Sequence, residues 1–228
     1  IPEGVNTIGY GAFLRCTSLE SASFPASLKT LGSTSAYNEG AFENCTALST
    51  VTFKAGTEAA YIGTKSFRNT AVASVTIPGN YKTIYDNAFQ DCSKLISLIY
   101  QKSSVAYSDQ VIKSRAFMNT RLTSVSLSSS LSLIELCAFE DCTALTSIVI
   151  PEGVTEIGFA AFQNCSSLVS VKLPSTLEKL GTTSRYDDGV FKKCIALKSV
   201  AWAEGESDAY IGTNTFMGCS ALTEISIP

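Results

Sequence analysis

The feature that most constrains this sequence is a short motif that recurs along its whole length. The clearest copy is AFQNCSSLVSVKLP, from Ala161 to Pro174, which runs from a phenylalanine through a cysteine into an alternating apolar segment. A unit this short cannot bury its own apolar face, so tandem copies are stable only when each packs on the next. The motif therefore predicts a solenoid.

The motif occurs nine times, and its phenylalanines are spaced 22 to 29 residues apart, at Phe13, Phe42, Phe67, Phe89, Phe117, Phe139, Phe162, Phe191 and Phe216. This spacing matches the period of about 20 to 29 residues of leucine-rich repeats. Three positions after the phenylalanine, two copies have Thr70 and Thr120. The other seven have cysteine, at Cys16, Cys45, Cys92, Cys142, Cys165, Cys194 and Cys219. We interpret the phenylalanine column as a packed spine, and expect the thiols and hydroxyls to face the same backbone groups at one corner of the repeat.

An apolar triplet spaced LxxVxL follows each corner, as in Leu168, Val171 and Leu173. Its last two members have a period of two, which predicts a short strand, and the nine strands are expected to form one parallel sheet. A second apolar pair before each phenylalanine, such as Val154 and Ile157, should line the opposite wall. Small polar residues occupy the outward position of the strands, at Ser21, Thr50, Ser74, Ser97, Ser124, Ser147, Ser170 and Ser199, with Glu224 in the last copy.

A longer repeat is superimposed on the short one. Residues 1–67 match residues 150–216 without a gap, and 33 of the 67 positions are identical. The match includes two irregular segments, so that 31–42 corresponds to 180–191 and 54–60 to 203–209. Segments reproduced so closely are predicted to be folded loops, and insertions in solenoids tend to gather on one face, often the binding face. We predict a single continuous domain over residues 1–228, and, because both ends fall inside a repeat, a fragment of a longer array.

Composition excludes several functions. The net charge of −3 gives no basic surface for nucleic acid, and we expect none to bind. The chain has no histidine, the commonest general base and metal ligand, and no paired carboxylates stand out, so we expect neither an enzyme nor a bound cofactor. The longest apolar run, Leu95 to Tyr100, is too short to span a membrane, and no signal peptide is visible.

Eight cysteines allow either disulfides or a reduced ladder. Stacked side chains point alike, which disfavours the near-perpendicular disulfide dihedral, and Cys92 lies between the two threonine copies, so it has no cysteine on an adjacent repeat. We therefore predict a buried, reduced column. The cysteine spacing excludes a CxxC zinc site, and we expect no metal. Cys137 lies outside the column, where we predict a surface thiol.

The segments AFQNCSSLVSVKLPSTLEKLG and AFEDCTALTSIVIPEGVTEIG resemble the BspA-like leucine-rich repeats, also called the Treponema pallidum type, and the resemblance covers essentially the whole chain. It implies a right-handed, horseshoe-like solenoid with a parallel sheet on its concave side. It also implies bacterial surface or secreted proteins, several of which bind matrix proteins or other cells. The motif residues are structural, so the resemblance transfers no ligand-binding residue.

Candidate binding residues therefore come from the inserted loops, where rigid amphipathic tyrosines suit protein recognition. They are Tyr37, Asn38, Tyr107, Tyr186, Asp187 and Asp188. Packing within the loops, calcium binding by the acidic clusters and a peptide or glycan groove on the outward serine column are the alternatives. We expect a monomeric, extracellular or cell-surface module that binds a host protein in the manner of an adhesin. A spacer that binds nothing and a glycan-binding module are the alternative functions.

Overall fold

The structure is a computed structural model, and it describes residues 1–102, 109–182, 189–205 and 209–227. In these residues it contains short strands and no helix. In chain order the strands are β1 (Thr7–Ile8), β2 (Ser21–Phe24), β3 (Thr30–Leu31), β4 (Thr50–Phe53), β5 (Ala60–Ile62), β6 (Ser74–Ile77), β7 (Tyr81–Ile84), β8 (Ser97–Tyr100), β9 (Gln110–Ile112), β10 (Ser124–Ser126), β11 (Leu131–Ile134), β12 (Ser147–Val149), β13 (Glu156–Ile157), β14 (Ser170–Leu173), β15 (Lys179–Leu180), β16 (Ser199–Trp202), β17 (Tyr210–Ile211) and β18 (Glu224–Ile225).

The odd-numbered strands form one parallel sheet of nine strands, ordered as they occur in the chain. Its register aligns the apolar residue of each repeat, so that Ile8 pairs with Leu31 and Leu31 with Ile62. These side chains are buried because the sheet turns one face to the core. The second apolar pair of the motif therefore lines a wall of its own, as the sequence predicts.

The even-numbered strands carry the LxxVxL residues and are also parallel. They are hydrogen-bonded in three groups, β2–β4, β6–β8–β10 and β12–β14–β16–β18, rather than in the one sheet that the sequence predicts. The two breaks flank the central group, which contains both threonine repeats, Thr70 and Thr120. The nine-stranded sheet, not the LxxVxL strands, is thus the wall that runs without interruption.

A stack of phenylalanine rings fills the space between the walls. All nine rings stack on their neighbours, with centroids 4.7–5.6 Å apart and interplanar angles of 1–16°. The seven internal rings are fully buried, whereas Phe13 and Phe216 are partly buried. The predicted spine is confirmed, and every repeat contributes one ring to it.

The corner segments, which lead from each odd strand through the phenylalanine to the next even strand, form a third hydrogen-bonded wall. The residue before the cysteine or threonine has positive φ in every repeat, at Arg15, Asn44, Asn69, Asp91, Asn119, Asp141, Asn164, Lys193 and Gly218. This conformation turns its N–H toward the next repeat, as when Asn44 donates to the Arg68 carbonyl at 2.9 Å. Asparagine, aspartate and glycine adopt positive φ most readily, which accounts for their frequency here.

The cysteines are reduced thiols, and those of the internal repeats are buried. In the six column cysteines after Cys16, the thiol donates to the phenylalanine carbonyl of the preceding repeat, for example from Cys45 Sγ to Phe13 O at 2.9 Å. The threonines differ from our expectation, because Thr70 Oγ1 donates to Phe67 O of its own repeat at 2.9 Å. Cys92 Sγ donates to the same Phe67 O at 3.0 Å, so the hydroxyl and the next thiol share one acceptor.

Cys137 corrects the prediction of a surface thiol. Its side chain is 5% exposed, and its backbone has φ of 55°. Its N–H donates to the Phe159 carbonyl at 3.0 Å, which draws this part of the corner against the next repeat. The equivalent residues in other repeats include Lys65 and Asn87, whose polar character indicated a surface position. The short cysteine side chain is instead covered.

Candidate functional site

The loop of residues 33–39, which contains Tyr37 and which we call the tyrosine loop, is an insertion in the second corner segment, and it is folded, as its faithful duplication predicts. The Ser33 hydroxyl accepts hydrogen bonds from Ser35 N at 3.1 Å and from Asn38 Nδ2 at 2.8 Å. From the next repeat, Lys65 Nζ donates to the Ala36 carbonyl at 3.0 Å. The loop is therefore held both by its own side chains and by a neighbouring repeat.

Gly40 ends this loop at a point where the backbones of two repeats nearly touch. A Cβ atom added there would lie 1.8 Å from the Lys65 carbonyl oxygen, and one added at the duplicated Gly189 would lie 1.8 Å from Asn214 O. Such distances are far inside van der Waals contact, so only glycine allows this approach. The glycine fixes the direction in which the loop leaves the corner.

Tyr37 and Asn38 have different roles in the loop. Tyr37 lies at its tip with 98% of its surface exposed. Asn38 is half-buried and its amide is used in the bond to Ser33, so it shapes the loop. Of the two described residues that the sequence predicted for binding, Tyr37 is the one presented to solvent.

The other four predicted binding residues, Tyr107, Tyr186, Asp187 and Asp188, lie outside the described residues. Within the described ranges, no group of three or more histidine, cysteine, aspartate or glutamate side chains is arranged to hold a metal ion. In the same ranges, no helix is long and apolar enough to cross a membrane.

The outward side of the LxxVxL strands, which we call the serine face, has the register that the sequence predicts. Ser97 pairs with both Ser74 and Ser124, and its hydroxyl lies 3.4 Å from Ser124 Oγ. The nine residues of the column are exposed or half-buried. The face is less uniformly polar than the column suggests, because Ile99 and Val149, two positions after the column residue in their strands, are 43% and 60% exposed on it. Ile96 and Val169, which directly precede two of the strands, are 51% and 40% exposed. Sequence analysis missed all four.

A second feature that sequence analysis missed is a polar cleft of about 490 Å³ on the corner segments, which we call the corner groove. The frequent asparagine or aspartate before the corner cysteine or threonine is the signal that would have located it. The lining comes from four successive repeats and comprises Glu43, Asn44, Arg68, Asn69, Asp91, Ser93 and Asn119. Amides, carboxylates and one guanidinium thus line a continuous surface along the solenoid.

The buried cysteine thiols and tyrosine hydroxyls have low reactivity at neutral pH. Burial raises the pKa of Cys92 to about 11 and that of Cys142 to about 12. Burial likewise raises the pKa of Tyr81 and Tyr100. Because the thiolate is the reactive form of cysteine, the buried thiols are poor nucleophiles at neutral pH.

Solved structures with the same fold come from bacteria. A leucine-rich repeat protein from Bacteroides ovatus is 22% identical with a TM-score of 0.58, over 97% of this chain and 64% of that one. The pneumococcal vaccine antigen PcpA is 17% identical with a TM-score of 0.56, over 98% of this chain and 66% of that one. A leucine-rich repeat protein from Eubacterium ventriosum is 18% identical with a TM-score of 0.50, over 100% of this chain and 71% of that one. The chain thus spans less than two thirds of the Bacteroides ovatus and pneumococcal proteins.

A search of curated proteins finds none that matches this chain. The profile of one family, described as the BspA type leucine-rich repeat region in six copies, matches residues 1–104, 37–142 and 110–228. These matches cover the whole chain, and they agree with the nine stacked phenylalanines and the parallel sheets. The chain belongs to the BspA-type leucine-rich repeat family, and its fold is a β-rich leucine-rich-repeat solenoid.

Proposed function

We propose that this chain is the protein-binding module of an extracellular or cell-surface bacterial protein, and that it recognises a host matrix or cell-surface protein. The observation that carries the proposal is Tyr37, a large ring 98% exposed on a loop fixed by hydrogen bonds. A tyrosine offers a large contact area and a hydroxyl, and aromatic anchors of this kind dominate the energy of many interfaces. Because the loop is already ordered, binding does not have to order it.

The serine face supports the same proposal as a second contact surface. Its exposed isoleucine and valine side chains, Ile96, Ile99, Val149 and Val169, lie among small hydroxyl residues that leave the strands accessible. Scattered apolar residues on a polar surface resemble the mixed composition of transient protein interfaces.

The proposed role is non-catalytic. The chain has no histidine to activate a serine, and the buried thiols have raised pKa values. Family membership supports a role as a scaffold in which the surface, and not the core positions that recur in every repeat, provides recognition. We propose that the chain acts as a monomer.

The test is binding of the purified chain to immobilised matrix proteins and mucins, comparing the wild type with Tyr37→Ala and with Tyr37→Ala combined with Tyr186→Ala. We expect the affinity for the bound protein to fall by about tenfold or more, since truncation of an aromatic anchor costs about 2 kcal/mol or more. Tyr10→Ala is the matched control, because Tyr10 is 61% exposed but lies outside the inserted loops. If all variants bind like the wild type, recognition through the tyrosine loops is wrong.

A further inference from the structure

The corner groove is a candidate site for a second kind of ligand. Its lining residues stand at the corners of four consecutive repeats, and each residue is fixed by the backbone of its repeat. Asn44, Asn69, Asp91 and Asn119 all have φ of 54–62°. The N–H of each donates to a carbonyl of the next repeat at 2.8–3.0 Å. Each of the four repeats therefore contributes at least one polar side chain to the groove from a rigid frame.

The side chains of the groove are ordered by contacts between repeats. Asn69 Nδ2 donates to Asn44 Oδ1 at 2.8 Å, and Asn119 Nδ2 donates to Asp91 Oδ1 at 2.9 Å. An amide NH₂ group carries two donors, and in the described part of the chain each of these two amides uses one. Hydrogen-bonding capacity is thus available at fixed positions, which favours binding of a ligand without reorganisation.

The charge of the groove disfavours anions. Arg68 lies between two carboxylates, with Nη1 3.5 Å from Glu43 Oε1 and Nε 3.6 Å from Asp91 Oδ2. Two carboxylates and one guanidinium leave a formal charge of −1, so a phosphate, a sulfate or a carboxylate meets no excess positive charge. The other lining residues are three amides and a serine hydroxyl, which are neutral.

The lining is also unsuited to an apolar ligand. Binding sites for apolar small molecules are lined mainly by hydrophobic and aromatic side chains, and every lining residue here is polar or charged. The lining supplies both donors and acceptors: amide and guanidinium N–H groups donate, and carboxylate and amide oxygens accept. A ligand whose groups both donate and accept, such as a row of hydroxyls, matches this pattern.

We propose that the corner groove binds a neutral, polyhydroxylated ligand, namely an uncharged stretch of a glycan chain. Amide, carboxylate and guanidinium side chains of successive repeats would hydrogen-bond the hydroxyls of the sugar. Tyr37 is not among the lining residues, so separate substitutions can test protein binding and glycan binding by this chain.

The internal duplication shows that the groove belongs to one half of the chain. At the offset of 149 residues, Lys192, Lys193, Met217 and Gly218 take the places of Glu43, Asn44, Arg68 and Asn69. The two duplicated corners therefore have two lysines, an exposed methionine and a glycine, with a formal charge of +2, in place of a polar set whose formal charge is zero. In the described residues the duplication therefore does not reproduce these four lining residues, although the sequence of the tyrosine loop occurs twice.

The probe is an array of immobilised neutral oligosaccharides built from hexoses and N-acetylhexosamines, followed by calorimetric titration of any oligosaccharide that binds. Asn69→Gly removes a lining side chain, and we expect it to weaken binding at least tenfold. Asn164→Gly is the matched control: Asn164 has φ of 59° and donates to Asp141 Oδ1, but it lies outside the groove. Glycine is tolerated at this position in the corner, as Gly218 shows with φ of 78°.

Two further results decide between ligand classes. Affinity for a neutral glycan should change less than about twofold between low and high salt, because no charge on the ligand is screened. Three results would each overturn the proposal. They are failure of every neutral oligosaccharide to bind, equal oligosaccharide affinity of the Asn69→Gly and Asn164→Gly variants, and an affinity that falls steeply as the salt concentration rises. Binding of a lysine-rich peptide that is lost in Asp91→Asn, in place of glycan binding, would assign the groove to a cationic partner.

Discussion

At the scale of single residues, the fold depends on a few positions that repeat with little variation. The phenylalanine of each of the seven internal repeats stacks between two others, and the residue before the corner cysteine or threonine has positive φ. The first requirement selects one large flat side chain, and the second admits asparagine, aspartate or glycine most easily. The sequence therefore shows the core column clearly, whereas the positive-φ column varies in chemistry and is easily overlooked.

Phe139→Ala should be among the most destabilising single substitutions in the chain. Phe139 is fully buried and stacks at 5.3 Å on Phe117 and at 5.2 Å on Phe162. Loss of a buried phenylalanine side chain costs about 3–5 kcal/mol. Urea denaturation measures the effect, and Phe13→Ala, at a partly buried ring with one stacked neighbour, should cost less. Equal losses in the two variants would contradict the continuous stack.

Gly40→Ala tests the close approach that ends the tyrosine loop. An added methyl group would meet the Lys65 carbonyl at 1.8 Å, so one of the two backbones must move. We expect destabilisation of at least about 2 kcal/mol by chemical denaturation, in the range of overpacked sites. Gly9→Ala is the control, because nothing lies within 4 Å of the Cβ that it would add. If both variants are equally stable, the approach of the two repeats is looser than described.

At the scale of elements, the corner segments carry more of the structure than the sequence suggests. Their N–H groups pair repeat to repeat, and their thiols donate to the phenylalanine carbonyl of the repeat before. The corner is therefore a third wall of the solenoid beside the two sets of strands. It is also the element on which the tyrosine loop and the corner groove lie.

The thiols should differ sharply in reactivity. Cys16 is exposed, whereas Cys45, Cys92 and the other internal thiols are buried, and burial raises the pKa of Cys142 to about 12. We expect a thiol reagent at pH 8 to modify Cys16 rapidly and the buried thiols only after unfolding. Mass spectrometry of the modified peptides measures how fast each cysteine reacts. Rapid modification of Cys137 in the native chain would contradict its buried position.

The buried thiols also predict a loss of stability in alkali. A thiol in the unfolded chain ionises near pH 8.5, whereas the native pKa is about 11 for Cys92 and about 12 for Cys142. A group with a raised native pKa stabilises the fold fully below its unfolded pKa and loses that contribution as pH rises toward the native value.

The free energy of unfolding should therefore fall between about pH 8.5 and pH 11, by up to about 1.4 kcal/mol per pH unit for each such thiol. Urea denaturation at several pH values measures the slope. Cys142→Ser should have a shallower slope than the wild type, because serine does not titrate in this range. An unchanged slope would mean that Cys142 ionises in the native state.

At the scale of the whole molecule, the repeat period alone predicts the solenoid, because nine phenylalanines in register can only be buried by stacking. The partition of the LxxVxL strands into three hydrogen-bonded groups was not predictable, since the triplet is the same on both sides of each break. The burial of Cys137 was missed because its column holds glycine, lysine, asparagine or arginine in every other repeat except that of Ala160. Tyr37 could be predicted as a binding residue because its loop is duplicated in the sequence. The corner groove could not, because its lining residues come from four repeats and are brought together only by the fold.

The measurement that tests the proposed function most directly is equilibrium binding of the purified wild-type chain to a surface coated in turn with individual matrix proteins and mucins. The account predicts a saturable isotherm with at least one of these proteins, at a stoichiometry of one chain per site. Denatured chain on the same surfaces is the control for non-specific adsorption. Absence of saturable binding to every member of the panel would contradict the account and leave the chain as a spacer.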